Sequence, residues 1–115
     1  MNKSHEESYD VELEGLMAEK TKVLSQAHAF TQMGLVQTAE PLWRTAAGFE
    51  ERIAPRLDAI GRPSEAAVHR ISAATCYQNA GEFVHAANLF KAALVGPLSD
   101  AARAEVEQFL KLCSN

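Results

Sequence analysis

Little in this sequence advertises chemistry. Cysteine is scarce: Cys76 and Cys113 are the only two, and they form no Cys-x-x-Cys pair. That removes a disulfide framework and a zinc ribbon as sources of the fold. Both cysteines read instead as small hydrophobes on apolar helix faces. The four histidines, His5, His28, His69 and His85, match no two-histidine ligand motif on one helix. Glu65 and His69 are spaced to touch, as are Glu82 and His85, but both pairs read as solvated helix faces. Adjacent Glu50 and Glu51 project on different sides of a helix and make no acid-base dyad. No glycine-rich phosphate loop, nucleophile elbow or metalloprotease signature occurs. The expectation is therefore no enzyme, no catalytic residue, no metal and no cofactor. A small metal-binding or catalytic protein using His28, His69 or His85 is the least favoured alternative.

Long apolar runs are missing too. None approaches the roughly 18 residues of a spanning helix, and MNKSHEESYD lacks the apolar centre of a secretory signal. A cytoplasmic location without membrane contact is expected. The 11 basic residues are scattered and outnumbered by 15 acidic ones, for a formal charge of -4. A nucleic-acid surface would show a basic stripe, so no nucleic-acid partner is expected. Nor does any stretch alternate with the period of a half-buried strand. What is present is ordinary apolar content at helical spacing, in a length that suits one domain.

Five helices are expected. Residues 1–8 carry charge without an apolar period and read as a disordered tail ahead of one domain over 9–115. The first helix starts at a Ser8 or Asp10 cap, with Glu12 and Glu14 in its first turn, and ends at Gly34. Its apolar positions are Leu13, Leu16, Met17, Val23, Leu24, Ala27, Phe30 and Met33. The second runs from Gln37 to Ile60 with Thr38 as its cap and Pro41 in its first turn. Pro55 is expected to kink it rather than end it, since the apolar stripe resumes at Leu57 and Ile60. Gly61-Arg62-Pro63-Ser64 is the clearest boundary, and Ser64 caps a third helix that reaches Asn79 or Ala80. A fourth spans Glu82 to Val95, where Gly96-Pro97 stops it. Ser99 or Asp100 then caps the last, whose apolar face is Ala102, Val106, Phe109, Leu110 and Cys113.

The third and fourth helices meet at Gly81 across a loop of about two residues, which forces an antiparallel hairpin. Ala74, Tyr77, Gly81, Phe83, Ala86, Phe90 and Ala93 follow one another there in an order that resembles the tetratricopeptide repeat. Pro97 lies one residue from that family's usual proline, and Arg70 stands where its first aromatic would be. Sliding the chain by 47 residues repeats the pattern. Ala27 then falls on Ala74, Phe30 on Tyr77, Gly34 on Gly81 and Val36 on Phe83. Ala39 falls on Ala86, Trp43 on Phe90 and Ala46 on Ala93. Small residues let helix axes approach, and the large ones fill the space between. Trp43 accordingly reads as the core aromatic of the first repeat; exposed, it would be an interface anchor. The period is longer than the family's roughly 34 residues because the second helix and the Gly61–Pro63 connection are extended. The resemblance implies an all-α, TPR-like fold of antiparallel helical hairpins: repeat one over 10–60, repeat two over 64–96, and a capping helix over 99–113.

The same resemblance implies a function. Tetratricopeptide proteins bind extended or helical peptides along a groove lined by the first helix of each repeat. Carried over, that groove takes Thr21, Leu24, His28, Thr31 and Gln32 from repeat one. Repeat two contributes Val68, Ile71, Thr75, Gln78 and Asn79. Uncharged amides and hydroxyls around a few aliphatic groups suit a peptide backbone. The lysine-and-asparagine clamp of some family members is not reproduced, and Asn79 alone resembles one element of it. The expected function is a non-catalytic protein–protein interaction module, an adaptor or chaperone-like domain with a protein or peptide partner. The alternative is a homo-oligomeric scaffold, a homodimer in which the first or second helix exchanges contacts with another copy. Two repeats are fewer than the roughly three that bury a continuous core.

Overall fold

A computed structural model describes residues 3–113, with side chains described from Val11 onward. Five helices follow in order: α1 (Lys3–Gln32), α2 (Val36–Ala59), α3 (Pro63–Asn79), α4 (Phe83–Val95) and α5 (Asp100–Cys113). Among the described residues there is no strand, and no helix is long and apolar enough to cross a membrane. Each helix packs on the next in sequence, and α3 also touches α5. The molecule extends 51 Å along its longest axis, and the 30 residues of α1 rise about 45 Å.

Three of the four connections share one physical solution. Gly34, Gly61 and Gly81 adopt φ of +81°, +79° and +82°, the left-handed conformation that costs a glycine nothing. In the first turn, the Leu35 amide donates to Phe30 O at 2.9 Å and the Gly34 amide to Thr31 O at 3.0 Å. Gly81 repeats this with Glu82 to Tyr77 and Gly81 to Gln78, and Gly61 with Arg62 to Leu57 and Gly61 to Asp58. These are Schellman caps, which occupy the last helical carbonyls and reverse the chain within two residues. The last connection works differently. Arg103 of α5 donates to Leu94 O at 2.6 Å and Gly96 O at 3.4 Å, closing the C-terminus of α4 with a cation.

Several helix starts differ from the expected ones. Helix α1 begins at Lys3 rather than at a Ser8 or Asp10 cap, so helix includes residues 3–8; Met1 and Asn2 lie outside the described residues. Helix α2 begins at Val36 with Leu35 as N-cap, and Thr38 caps nothing. Pro41 therefore falls in the second turn, not the first. Helix α3 opens with Pro63 in its first turn after Arg62, so Ser64 is not its cap either. In both cases the preceding glycine turn sets the entry direction, and the helix starts as soon as the chain clears it. Ser99 does cap α5, its Oγ accepting from the Ala102 amide at 3.1 Å. Helix α2 runs unbroken through Pro55. Pro41 and Pro55 are both exposed, so the carbonyls left without a donor are on the solvent side.

Of the residues matched across 47 positions, Phe30 is half-buried where Tyr77 is buried; the others share their burial. Ala39 and Ala86, Ala46 and Ala93, Ala27 and Ala74, and Trp43 and Phe90 are all buried. Val36 and Phe83 are both exposed, and both glycines take the same left-handed φ. Phe90 stacks on Phe109 of α5 with centroids 5.6 Å apart, so the last helix covers the second hairpin.

Candidate functional site

The core is not continuous. One cluster joins Ala27 of α1, Trp43, Ala46 and Ala47 of α2, and residues of α3, α4 and α5 including Tyr77, Phe90 and Val106. The other joins Leu13 and Leu16 to Ile53, Ala54, Leu57 and Ala66. Between the two, three helices each place a polar residue at the same level. Lys20 follows Leu16 and precedes Leu24 on α1. Glu50 follows Ala46 and Ala47 and precedes Ile53 and Ala54 on α2. His69 follows Ala66 and precedes Ala73 on α3. All three sit on the buried stripe of their helix by the spacing of i, i+3 and i+4.

The centre of this layer is the Glu50 carboxylate, only 1% exposed. Its Oε1 accepts from His69 Nδ1 at 2.7 Å, and the Lys20 ammonium lies 3.9 Å away. The carboxylate can only accept, so His69 carries its bonding proton on Nδ1. Burying a charge is tolerable only when it is paired, and here one partner comes from each flanking helix. Cys76 lies close enough to feel the layer. Burial and then the Glu50 charge push its thiol up to about 12, with Lys20 opposing. It is an inert thiol, since nucleophilicity belongs to the thiolate.

Glu51 serves a second cluster on the other side of α2. The Tyr77 hydroxyl donates to its Oε1 at 2.5 Å, and the Tyr77 ring stacks on His85 with centroids 3.8 Å apart. His85 Nε2 lies 3.5 Å from Glu51 Oε2. Burial and this bond to a carboxylate raise the Tyr77 phenol well above its usual range, holding it neutral as a donor. Arg44 pairs with Glu82 at 2.7 Å beside the α3–α4 turn. The reading of both pairs as solvated helix faces fails for His69, which is half-buried against Glu50, while the exposed His85 lies beside Glu51 and Glu82 pairs with Arg44, each across helices. Among the described residues no three or more histidines, cysteines and carboxylates are grouped to hold a metal. Both cysteines are free.

The ten residues of the expected groove separate into distinct environments. Leu24 and Ile71 are half-buried and pack against the main core. Thr31 is committed: its hydroxyl donates to Ala27 O at 2.8 Å and accepts from the indole of Trp43 at 3.1 Å. His28 meets the same indole edge-on, with centroids 4.7 Å apart. Thr75 donates to Ile71 O at 3.0 Å. Thr21, His28, Thr31, Gln32, Val68 and Asn79 are exposed, and Gln78 is half-buried. The structure joins His28 and Thr31 on Trp43, which is buried. Among the described residues no Cα of α1 lies within 8 Å of α3, although Lys20 and His69 of the two helices meet at Glu50. Val68 lines a cleft of about 400 Å³ beside Pro97, Leu98 and Ala102. A cleft of about 570 Å³ lies at Gly81–His85 and Asn88, outside the expected groove.

Sequence reasoning missed Lys20 and Glu50, although their positions were legible. Each interrupts an apolar stripe at a buried register, a stronger sign of burial than charge is of exposure. No family model, curated protein or solved structure matches the chain.

Proposed function

We propose that this chain is a non-catalytic interaction module that takes an extended peptide or helix of a partner protein between α1 and α3. One observation supports the reading: α1 and α3 both pack on α2 while no Cα of one lies within 8 Å of the other, so a partner would lie along their exposed flanks. The exposed groups offered there are Thr21, His28 and Gln32 on α1 and Val68 and Asn79 on α3, uncharged donors and acceptors with one aliphatic contact. Such a surface suits a peptide backbone better than a charged ligand. The likeness of the turn and core residues to the tetratricopeptide pattern supports the same reading, with an adaptor or chaperone-like role in the cytoplasm.

The test compares two faces. Thr21, Gln32 and Asn79 on α1 and α3 are replaced together by alanine in the channel variant, and the exposed Arg52 and Lys91 on α2 and α4 in the comparison variant. Partners captured from extract are identified with the unaltered protein, and their affinities are then measured with both variants. The channel variant should bind about 1–3 kcal/mol more weakly, near 1 kcal/mol per lost hydrogen bond, with helicity unchanged. Normal binding by the channel variant together with loss in the other would rule the channel out.

A further inference from the structure

We propose that Lys20, Glu50 and His69 form a proton-operated handover, in which charging His69 shifts the hold of Glu50 from α1 to α3. The three groups come from three helices and meet in the layer between the two core clusters. His69 Nδ1 lies 2.7 Å from Glu50 Oε1, and the Lys20 ammonium lies 3.9 Å from that same oxygen. A neutral imidazole donates one N–H there, and the ammonium alone balances the charge of the carboxylate. In that state Glu50 holds both α1 and α3 against α2.

A proton on Nε2 changes that balance. The Nδ1 bond to Glu50 becomes charge-assisted, and so stronger. Lys20 now meets a second cation on the oxygen that it shares, and its attraction to Glu50 is largely offset. Both side chains keep some contact with water, so the ring can take up the proton and the ammonium can turn outward on its flexible stem. The α2–α3 side of the layer tightens while the α1–α2 side loosens. Other charged groups are engaged elsewhere. On α3, Arg70 pairs with Asp58 of α2 and Glu65 with Arg62, and burial keeps the Cys76 and Cys113 thiols protonated. Glu51 of α2 takes Tyr77 and His85 of α4, and Arg103 of α5 takes the Leu94 and Gly96 carbonyls. Glu19 and Lys22 of α1, Lys91 of α4, and Asp100, Glu105, Glu107 and Lys111 of α5 are exposed. His69 therefore answers to Glu50 and Lys20.

The test compares Lys20→Met with the unaltered protein by urea unfolding at about pH 8 and about pH 5.5, a span over which imidazoles charge. Lys20→Met should lower the folding constant about threefold at the higher pH and hardly at all at the lower. In His69→Gln, which keeps a neutral donor, the roughly threefold loss should be the same at both. Native-state hydrogen exchange, expressed as protection over the intrinsic rate, locates the effect. On acidification over that span, protection should fall for residues 16–24 of α1 and rise for residues 66–73 of α3, about threefold each. An equal cost of Lys20→Met at both pH values would overturn the proposal, as would a pH dependence that survives in His69→Gln. Protection that moves in one direction on both helices would overturn it too. Should His69→Gln fail to fold, hydrogen exchange of the unaltered protein decides alone. Opposite shifts on α1 and α3 support the handover, and parallel or absent shifts refute it.

Discussion

Glu50 carries more of this structure than any other charged residue. It is almost fully buried, and its two partners arrive from different helices. Removing it leaves Lys20 and His69 facing each other, both still 18% and 16% exposed and so able to recruit water. Glu50→Ala should therefore cost about 2–4 kcal/mol, somewhat under the cost of breaking a fully buried pair. His69→Ala should cost less, and Lys20→Met least, because its contact is the longest. Thermal melts of the three variants check the order; a costlier Lys20→Met would mean that the ammonium, not the imidazole, holds the carboxylate. Cys76 supplies a pH dependence at the same scale. Its pKa rises from an ordinary 9.0 to about 12, so below pH 9 both states keep the proton and stability is unaffected. Above pH 9 the unfolded chain loses that proton first, and stability falls as pH rises through about 12. The raised Tyr77 phenol acts in the same direction. Urea midpoints between pH 8 and 11 should decline, and less steeply in Cys76→Ala; an unchanged slope would place the thiol in water.

Each element owes its existence to spacing that the chain displays openly, and its boundaries to features that it does not. The apolar stripes mark all five helices because a period of 3.6 is written over many residues. Gly34, Gly61 and Gly81 mark three turns because no other residue adopts their φ without strain. Starts were less legible. Thr38 and Ser64 are good capping residues in isolation, yet the Schellman turns deliver Leu35 and Arg62 to the cap position first. The local preference of one side chain lost to the geometry of the turn before it. The small residues of the hairpins make the sharper test at this scale. Ala39 and Ala86 are 1% and 0% exposed at matched positions. Leucine at either has no room, and each change should cost about 1–3 kcal/mol by overpacking. Melting temperatures within about a degree of the unaltered protein for both would show that the interhelical space is slack.

At the scale of the whole molecule, what the sequence concealed is which helix touches which. Glu50 and His69 lie 19 residues apart, and Tyr77 and Glu51 26 apart, so no local pattern pairs them. The groove residues show the same limit from the other side. The tetratricopeptide resemblance placed Leu24, Ile71, Thr31 and Thr75 in a groove, but core packing takes up Leu24 and Ile71, and the indole of Trp43 and the helix carbonyls engage the two hydroxyls. Packing in series also grades stability along the chain. Helices α2 and α3 are each flanked on two sides and hold most of the buried residues. Helix α1 has one backbone neighbour and a seam crossed by charge, while α5 leans mainly on α4 and buries Val106 alone. Protection follows the number of buried contacts that must break for an amide to open. Native-state hydrogen exchange should thus be slowest from Ala46 to Leu57 and from Ala66 to Tyr77. Amides from Leu16 to Phe30 should exchange at least about tenfold faster, through an opening that releases α1 while α2 to α4 stay folded. Equal protection of α1 and α2 would mean that the chain opens only as one unit. Helix α1 would then not be separable from the rest.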